Sequence, residues 1–301
     1  MPAGVTISFE SNTPWFEVLC QYAVEGIPGR NSGVWELWGI ERVSADLYCD
    51  DQFVDSRPIM NCTSFRFDNL GTSKKRFQLW LPHIGKFIFE GLNIDSDSEI
   101  RCPPAMSKPR WITYGSSATQ CVGAERPTDT WPAIVSLSCG FELVSLGFGG
   151  NCHLDPLIAR IIRDQPADVI SLCLGANIQI QSSLNQRTFG PGIIGFIKII
   201  RERHPSTPIL VLSPIYCMEH ETTPNAVGLT MEMVRLEVEK AVKTLCTNGD
   251  NHLFYKNGLE VLGSSYEHLY PDRKHPNNEG YRMMAENIEP AVLAAFHNQR
   301  T

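Results

Sequence analysis

Along residues 1–106 the hydrophobic and polar positions tend to alternate. In "GVTISFES", "EVLCQYAV", "GVWELWGI", "TSFRFDNL" and "RFQLWLPHIGKFIFEGLNI", β-branched and aromatic residues recur, with Gly, Asn or Pro between the runs. A period of two in such residues marks strands with one buried face. No stretch there carries a helical period, so residues 1–106 are expected to form a β-sandwich or jelly-roll domain. The polar, Pro-containing connector "DSDSEIRCPPAMSKPR" then predicts a domain boundary between residues 106 and 107.

Beyond the connector the rhythm changes. Short apolar runs ("WITYG", "ELVSLG", "DVISLCLGA", "PILVLSPI", "HLFYKN") alternate with amphipathic stretches around "TWPAIVSL", "LDPLIARIIRDQ", "GIIGFIKIIRER", "TMEMVRLEVEKAVKTL" and "NEGYRMMAENIEPAVLAAF". Strands alternating with helices predict a parallel sheet covered on both faces. Residues 107–301 are therefore expected to form a flavodoxin-like α/β/α domain, giving an α/β chain overall.

Composition narrows the function classes. With 43% hydrophobic and 20% charged residues the chain reads as globular. Its net charge of −7 argues against a nucleic-acid or anionic-membrane surface. The one basic cluster, Lys74-Lys75-Arg76, reads as a solvated hairpin turn. No apolar run is long enough for a membrane span, and the N-terminus lacks the basic and apolar regions of a secretory signal. The 10 cysteines are scattered without any CxxC, and several, such as Cys173, lie in apolar runs. Reduced thiols and a cytoplasmic location are the expectation. The sequon at Asn61 would matter only in a secreted chain.

In a doubly wound sheet, chemistry gathers where strands end at their carboxyl edge. The first strand runs into Gly115-Ser116-Ser117, the second into "SLGFGGN" and the third into Gly175-Ala176-Asn177. Just before the last helix stand Asp272 and His275, in "YPDRKHPNNEGY". Together these supply the parts of an acyl-transfer site. Ser117 would be the nucleophile and needs a base. His275 would be that base, since an ordinary imidazole titrates near ~6.5. Asp272 would orient the imidazole. Backbone N–H groups of Ser117 and Gly150 and the side-chain amide of Asn177 would form the oxyanion hole.

Each part also has a plain reading. Ser116 is a rival nucleophile, Gly147 and Gly149 could merely allow a tight turn, and Asn177 could cap a helix. Asp272 and His275 could be ordinary loop residues. Cys152-His153 resembles a thiol–imidazole pair, but adjacent residues seldom converge on one substrate. His268 and His275 lack a third partner with metal-ligand spacing, Asp155 reads as an N-cap, and "LGFGGN" lacks the dinucleotide spacing. No metal or cofactor is expected.

The four blocks resemble those of the SGNH hydrolases, a branch of the GDSL esterase and lipase family. Gly115-Ser116-Ser117-Ala118 stands for the Gly-Asp-Ser-Leu block, Gly147 and Gly150 for the glycine block, Gly175-x-Asn177 for the asparagine block, and Asp272-x-x-His275-Pro276 for the last. "VSADLY", Val43 to Tyr48, is similar to the Asp-Leu-Tyr signature of the N-terminal β-domain in one subgroup. Ser116 departs from the family aspartate, and Ser145 from an asparagine common before the glycines. The resemblance implies a Ser117–His275–Asp272 triad and hydrolysis of a short acyl ester of a small molecule or sugar. An acyltransferase or lactone-forming enzyme would use the same site. A catalytically silent module binding carbohydrate or protein, or a flavin-binding flavodoxin-like protein, are readings of other classes. Trp131, "NIQIQSS" and Tyr216 to Asn225 are candidates to line the substrate pockets.

Overall fold

The computed structural model describes residues 2–23, 43–104 and 108–298. The expected strand "GVWELWGI" and the 106/107 boundary lie outside these residues. N-terminal to it, the chain forms strands β1 (Thr6–Ser11), β2 (Phe16–Ala23), β3 (Ser44–Cys49), β4 (Gln52–Pro58), β5 (Ser64–Phe67), β6 (Lys75–Trp80), β7 (Lys86–Ile94) and β8 (Ile100–Arg101). They make two antiparallel sheets, ordered β4-β3-β6-β1-β8 and β5-β2-β7. Alternation does the sorting. Phe16, Val18 and Cys20 of β2 and Phe77 and Leu79 of β6 share one buried core. Phe16 packs its ring against Phe9, Phe67 and Phe77 at 5.3, 5.2 and 5.5 Å. Of the basic cluster, only Lys74 precedes the strand, where it pairs with Glu10. Lys75 and Arg76 pair within the sheet because they continue the β6 register.

The C-terminal part is a five-stranded sheet of β9 (Arg110–Gly115), β10 (Glu142–Gly147), β11 (Val169–Cys173), β12 (Ile209–Leu212) and β13 (Leu253–Lys256). Its order is β10-β9-β11-β12-β13 and every pairing is parallel. This is the flavodoxin-like order, with the direction of winding reversing between β9 and β11. Successive strand residues face opposite cores. Ile112, Tyr114, Ile170 and Leu172 join helices α3 (Pro156–Asp164), α5 (Gln186–Arg201) and α6 (Met231–Thr247). Trp111, Val169, Leu210 and Leu212 join α2 (Trp131–Cys139) and α8 (Asn278–His297). Burial on both faces explains the near-continuous apolar strand sequences. The polar exceptions are paired: Trp111 Nε1 donates to Ser171 Oγ at 3.0 Å, which donates to Thr113 Oγ1 at 2.9 Å.

Local signals set the helix starts. Asn185 and Thr188 form a capping box before α5, and Thr230 caps α6. Asp155 occupies the N-cap of α3, as expected, but its side chain makes no cap bond. The short helices α1 (Ser117–Gln120), α4 (Ala176–Gln181) and α7 (Gly258–Val261) follow β9, β11 and β13. The two regions meet through polar contacts. Buried Asp46 of β3, held within its own sheet by Ser56 Oγ at 2.6 Å, accepts across the junction from Thr128 Oγ1 at 2.5 Å, and Lys108 pairs with Asp51 at 2.9 Å. Val122, just past α1, packs into the β-sheet core. Among the described residues, no helix is long and apolar enough to cross a membrane.

Candidate active site

The site is assembled at the switch between β9 and β11, where loops from neighbouring strands diverge and leave a crevice. β9 ends at Gly115, and Ser116 becomes the N-cap of α1, its Oγ accepting from the Ala118 N–H at 3.4 Å. Ser116 is 5% exposed and committed to the cap, whereas Ser117 opens the helix half-buried. Ser117 Oγ lies 2.8 Å from His275 Nε2. His275 Nδ1 lies 2.7 Å from Asp272 Oδ2. Ser117, and not Ser116, is thus the serine set against His275.

The loop before α8 fixes His275. Arg273 adopts φ +64°, and the turn lets Asp272 Oδ1 accept from the N–H groups of Lys274 at 3.0 Å and His275 at 2.6 Å. One carboxylate oxygen therefore holds the loop while the other holds the ring. Asn277 caps α8 through the Gly280 N–H, which ends this loop.

The other two blocks converge as well. Asn177 is in the first turn of α4, whose N-cap is Gly175, so it is not the cap residue. Its Oδ1 accepts from the Cys152 N–H at 3.1 Å, which turns Nδ2 the other way. After β10, a turn closed by Asn151 N–H to the Phe148 carbonyl at 3.0 Å puts Gly150 at φ +72°. A glycine suits that corner, since a side chain there would be strained. Gly147 and Gly149 have a different reason. A Cβ on Gly147 would lie 2.4 Å from the Gln120 nitrogen, so close packing on α1 demands its absence. The Gly150 carbonyl accepts from His153 Nε2 at 3.1 Å and from Gln181 Nε2, and His153 Nδ1 meets Ser183 Oγ at 2.9 Å. His153 thus braces the glycine turn, while Cys152 is buried apart from it.

Thiols nearby do not compete as nucleophiles. Burial pushes Cys152 and Cys173 up to about 12 and Cys121 well above its ordinary range. All 10 cysteines are unpaired thiols. Among the described residues, no cluster of three or more His, Cys, Asp or Glu could hold a metal.

Trp131 corrects an expectation. It is fully buried, its ring tilted against Trp111 at 5.8 Å, and its Nε1 donates to the Ala118 carbonyl at 2.9 Å. It supports α1 from the core. A small apolar cavity of about 40 Å³ lies behind Ser116, Ala118, Cys173 and Ala176. A larger groove of about 1050 Å³ runs between β1, β6 and the edge strand β10, and none of Ser117, Asp272 or His275 lines it.

Residues 108–293 match the model of the GDSL-like Lipase/Acylhydrolase family. The chain belongs to this family. Its fold and membership make it an enzyme of the SGNH/GDSL ester-hydrolase type. Among solved structures, this acylhydrolase is similar to the salicylyl-acyltransferase SsfX3 from a tetracycline biosynthetic pathway. The two are 30% identical with a TM-score of 0.86, over 98% of this chain and 83% of that one. A Bacteroides ovatus protein assigned as a GDSL-like lipase gives 24% identity and a TM-score of 0.80, over 98% and 85%. A family two carbohydrate esterase from Clostridium thermocellum, solved with cellohexaose, shares the fold at 15% identity and a TM-score of 0.72, over 98% and 93%. No curated protein matched.

The roles of Gln120 and Asn151 escape the sequence reading, and Gln181, in the expected pocket stretch "NIQIQSS", holds the Gly150 carbonyl instead. Their spacing carries no periodic or motif signal, because each acts through a partner brought in by the fold.

Proposed function

We propose that this acylhydrolase is a serine esterase that releases a short acyl group from a small-molecule or sugar ester through an acyl-enzyme. The observation that carries the reading is the chain of contacts from Ser117 Oγ to His275 Nε2 at 2.8 Å and from His275 Nδ1 to Asp272 Oδ2 at 2.7 Å. Ser117 Oγ attacks the ester carbonyl while its proton passes to Nε2. Asp272 keeps the other ring nitrogen protonated and stabilises the imidazolium. The carbonyl oxygen, now anionic, is received by the N–H groups of Ser117 and Gly150 and by Nδ2 of Asn177. The C–O bond breaks, and Nε2 returns its proton to the departing alcohol. Water then enters by the same proton route and frees Ser117.

Asp46-Leu47-Tyr48 in β3, with Asp46 bound to Thr128, supports placing the chain in the Asp-Leu-Tyr subgroup. The wholly unpaired cysteines support a cytoplasmic setting. Likeness to a salicylyl-acyltransferase favours a second reading, in which an alcohol replaces water at the same acyl-enzyme.

A panel of p-nitrophenyl esters graded by chain length tests the proposal. Ser117→Ala is expected to abolish turnover and to prevent the acyl adduct seen by rapid-quench mass spectrometry, while Ser116→Ala keeps substantial activity. Loss in Ser116→Ala with activity in Ser117→Ala would move the nucleophile by one residue. Added alcohols that outcompete water for the acyl group would favour the transferase.

A further inference from the structure

We infer that Gln120 is a positioning residue that ties the oxyanion loop to the N-terminal sheets. The inference rests on the reading of Ser117 as nucleophile and Gly150 as an oxyanion donor. Gln120 ends α1 and is 2% exposed. Its side-chain amide joins two peptide groups from distant parts of the chain. Oε1 accepts from the Gly149 N–H at 3.0 Å, and Nε2 donates to the His83 carbonyl at 3.3 Å. One partner is a donor and the other an acceptor, so a single amide orientation satisfies both. His83 belongs to the turn between β6 and β7, so the link runs from the β-sheets through the nucleophile's own helix to the glycine turn.

The fit is close as well as polar. A Cβ on Gly149 would lie 2.6 Å from Gln120 Oε1, so that glycine lets the turn reach the amide. The result concerns the direction of the Gly150 N–H. Gly149 is anchored at its N–H by Gln120 and at its carbonyl by Asn151 Nδ2, 3.0 Å away. The next carbonyl, on Gly150, is held by His153 and Gln181. With those groups engaged, the peptide plane that carries the Gly150 N–H has little freedom to rotate. A donor aimed in advance stabilises developing charge without reorganising, which is where such donors exert most of their effect. Gln120 acts through Gly149. By this link the N-terminal sheets become part of the catalytic apparatus.

The test compares two variants at nearly constant volume. Gln120→Leu removes donor and acceptor together. Gln120→Glu keeps an acceptor for Gly149 but, when ionised, sets an oxygen against the His83 carbonyl. Both are measured on an ester that the wild type turns over, with Ser117→Ala as the blank. A wild type without Ser117-dependent turnover would sink the underlying reading, and it shows before any Gln120 variant is made. For Gln120→Leu, kcat is expected to fall about tenfold or more, with KM within about threefold and an unchanged circular dichroism spectrum. For Gln120→Glu, the ratio of variant to wild-type kcat should rise as pH falls, because a protonated carboxyl can again donate to His83. Residues that merely glue domains together would give no such recovery. The inference is overturned by kcat within about threefold in both variants, by a change in KM alone, or by a ratio flat with pH. Should Gln120→Leu fail to fold, the ratio in Gln120→Glu decides.

Discussion

Asn177 shows how one side chain serves two masters. Its Oδ1 satisfies the buried Cys152 N–H, and in the proposed mechanism that bond orients Nδ2 for a charge that exists only during reaction. Asn177→Ala should therefore lower kcat by ~10²–10³ with a smaller change in KM, and also cost ~1–3 kcal/mol of stability for the orphaned N–H. Parallel kinetics and urea unfolding separate the two effects. A pure KM effect would make Asn177 a ground-state binding group. Residues of this kind were legible because strand ends in a doubly wound sheet are few, and Ser117, Asn177, Asp272 and His275 all fall at one edge. The role of Gln120 was not legible. A glutamine near a serine has no preferred reading until the fold supplies a carbonyl on one side and an N–H on the other.

At the scale of elements, the parallel strands could be read because burial on both faces makes each an apolar run, as in "VISLC" of β11. The N-terminal strands were harder. β4, "QFVDSRP", is largely exposed and carries charge and Pro at its end, so it lacks the alternation that revealed β2 and β6. The hairpin before it turns on Asp50 and Asp51, both at positive φ, in place of a glycine signal. The Tyr216 to Asn225 stretch was read only as a possible pocket wall. In the structure Glu221 accepts two bonds from Arg235 of α6, both at 2.6 Å, while Arg235 also donates to the carbonyls of Pro214 and Ile215. Asn225 Nδ2 donates to the Gln179 carbonyl at 2.6 Å, tying the loop to α4 beside Asn177. Arg235 is 4% exposed. Arg235→Leu would leave the half-buried Glu221 carboxylate without its guanidinium, holding only the Cys217 N–H, and should destabilise the protein by ~3 kcal/mol in urea unfolding. A loss under ~1 kcal/mol would mean that water replaces the guanidinium at little cost.

Across the whole molecule, the junction between the sheets and the α/β unit holds charged groups away from water. His83 is 1% exposed, and burial drives its pKa down to about 4 against the pull of the Asp129 carboxylate. Asp129 is itself bound by Arg126 at 2.9 Å and Arg282 at 3.2 Å. An unfolded chain protonates this histidine near its ordinary 6.5, whereas the folded protein does so only near 4. Between those values the unfolded state binds more protons, so stability must fall as pH falls through that window and stay level above it. Taking only His83, moving from pH ~7.5 to ~5 should cost on the order of 2 kcal/mol. Asp46 works in the opposite sense, since burial raises its pKa and acid then favours the folded form. Comparison with His83→Gln cancels Asp46 and every other shared group. Urea midpoints of the two proteins at both pH values, converted with their own slopes, should show the variant losing about 2 kcal/mol less on acidification. Equal losses in the two proteins would mean that His83 takes up its proton without unfolding, with Asp129 and the Ala124 backbone receiving the charge.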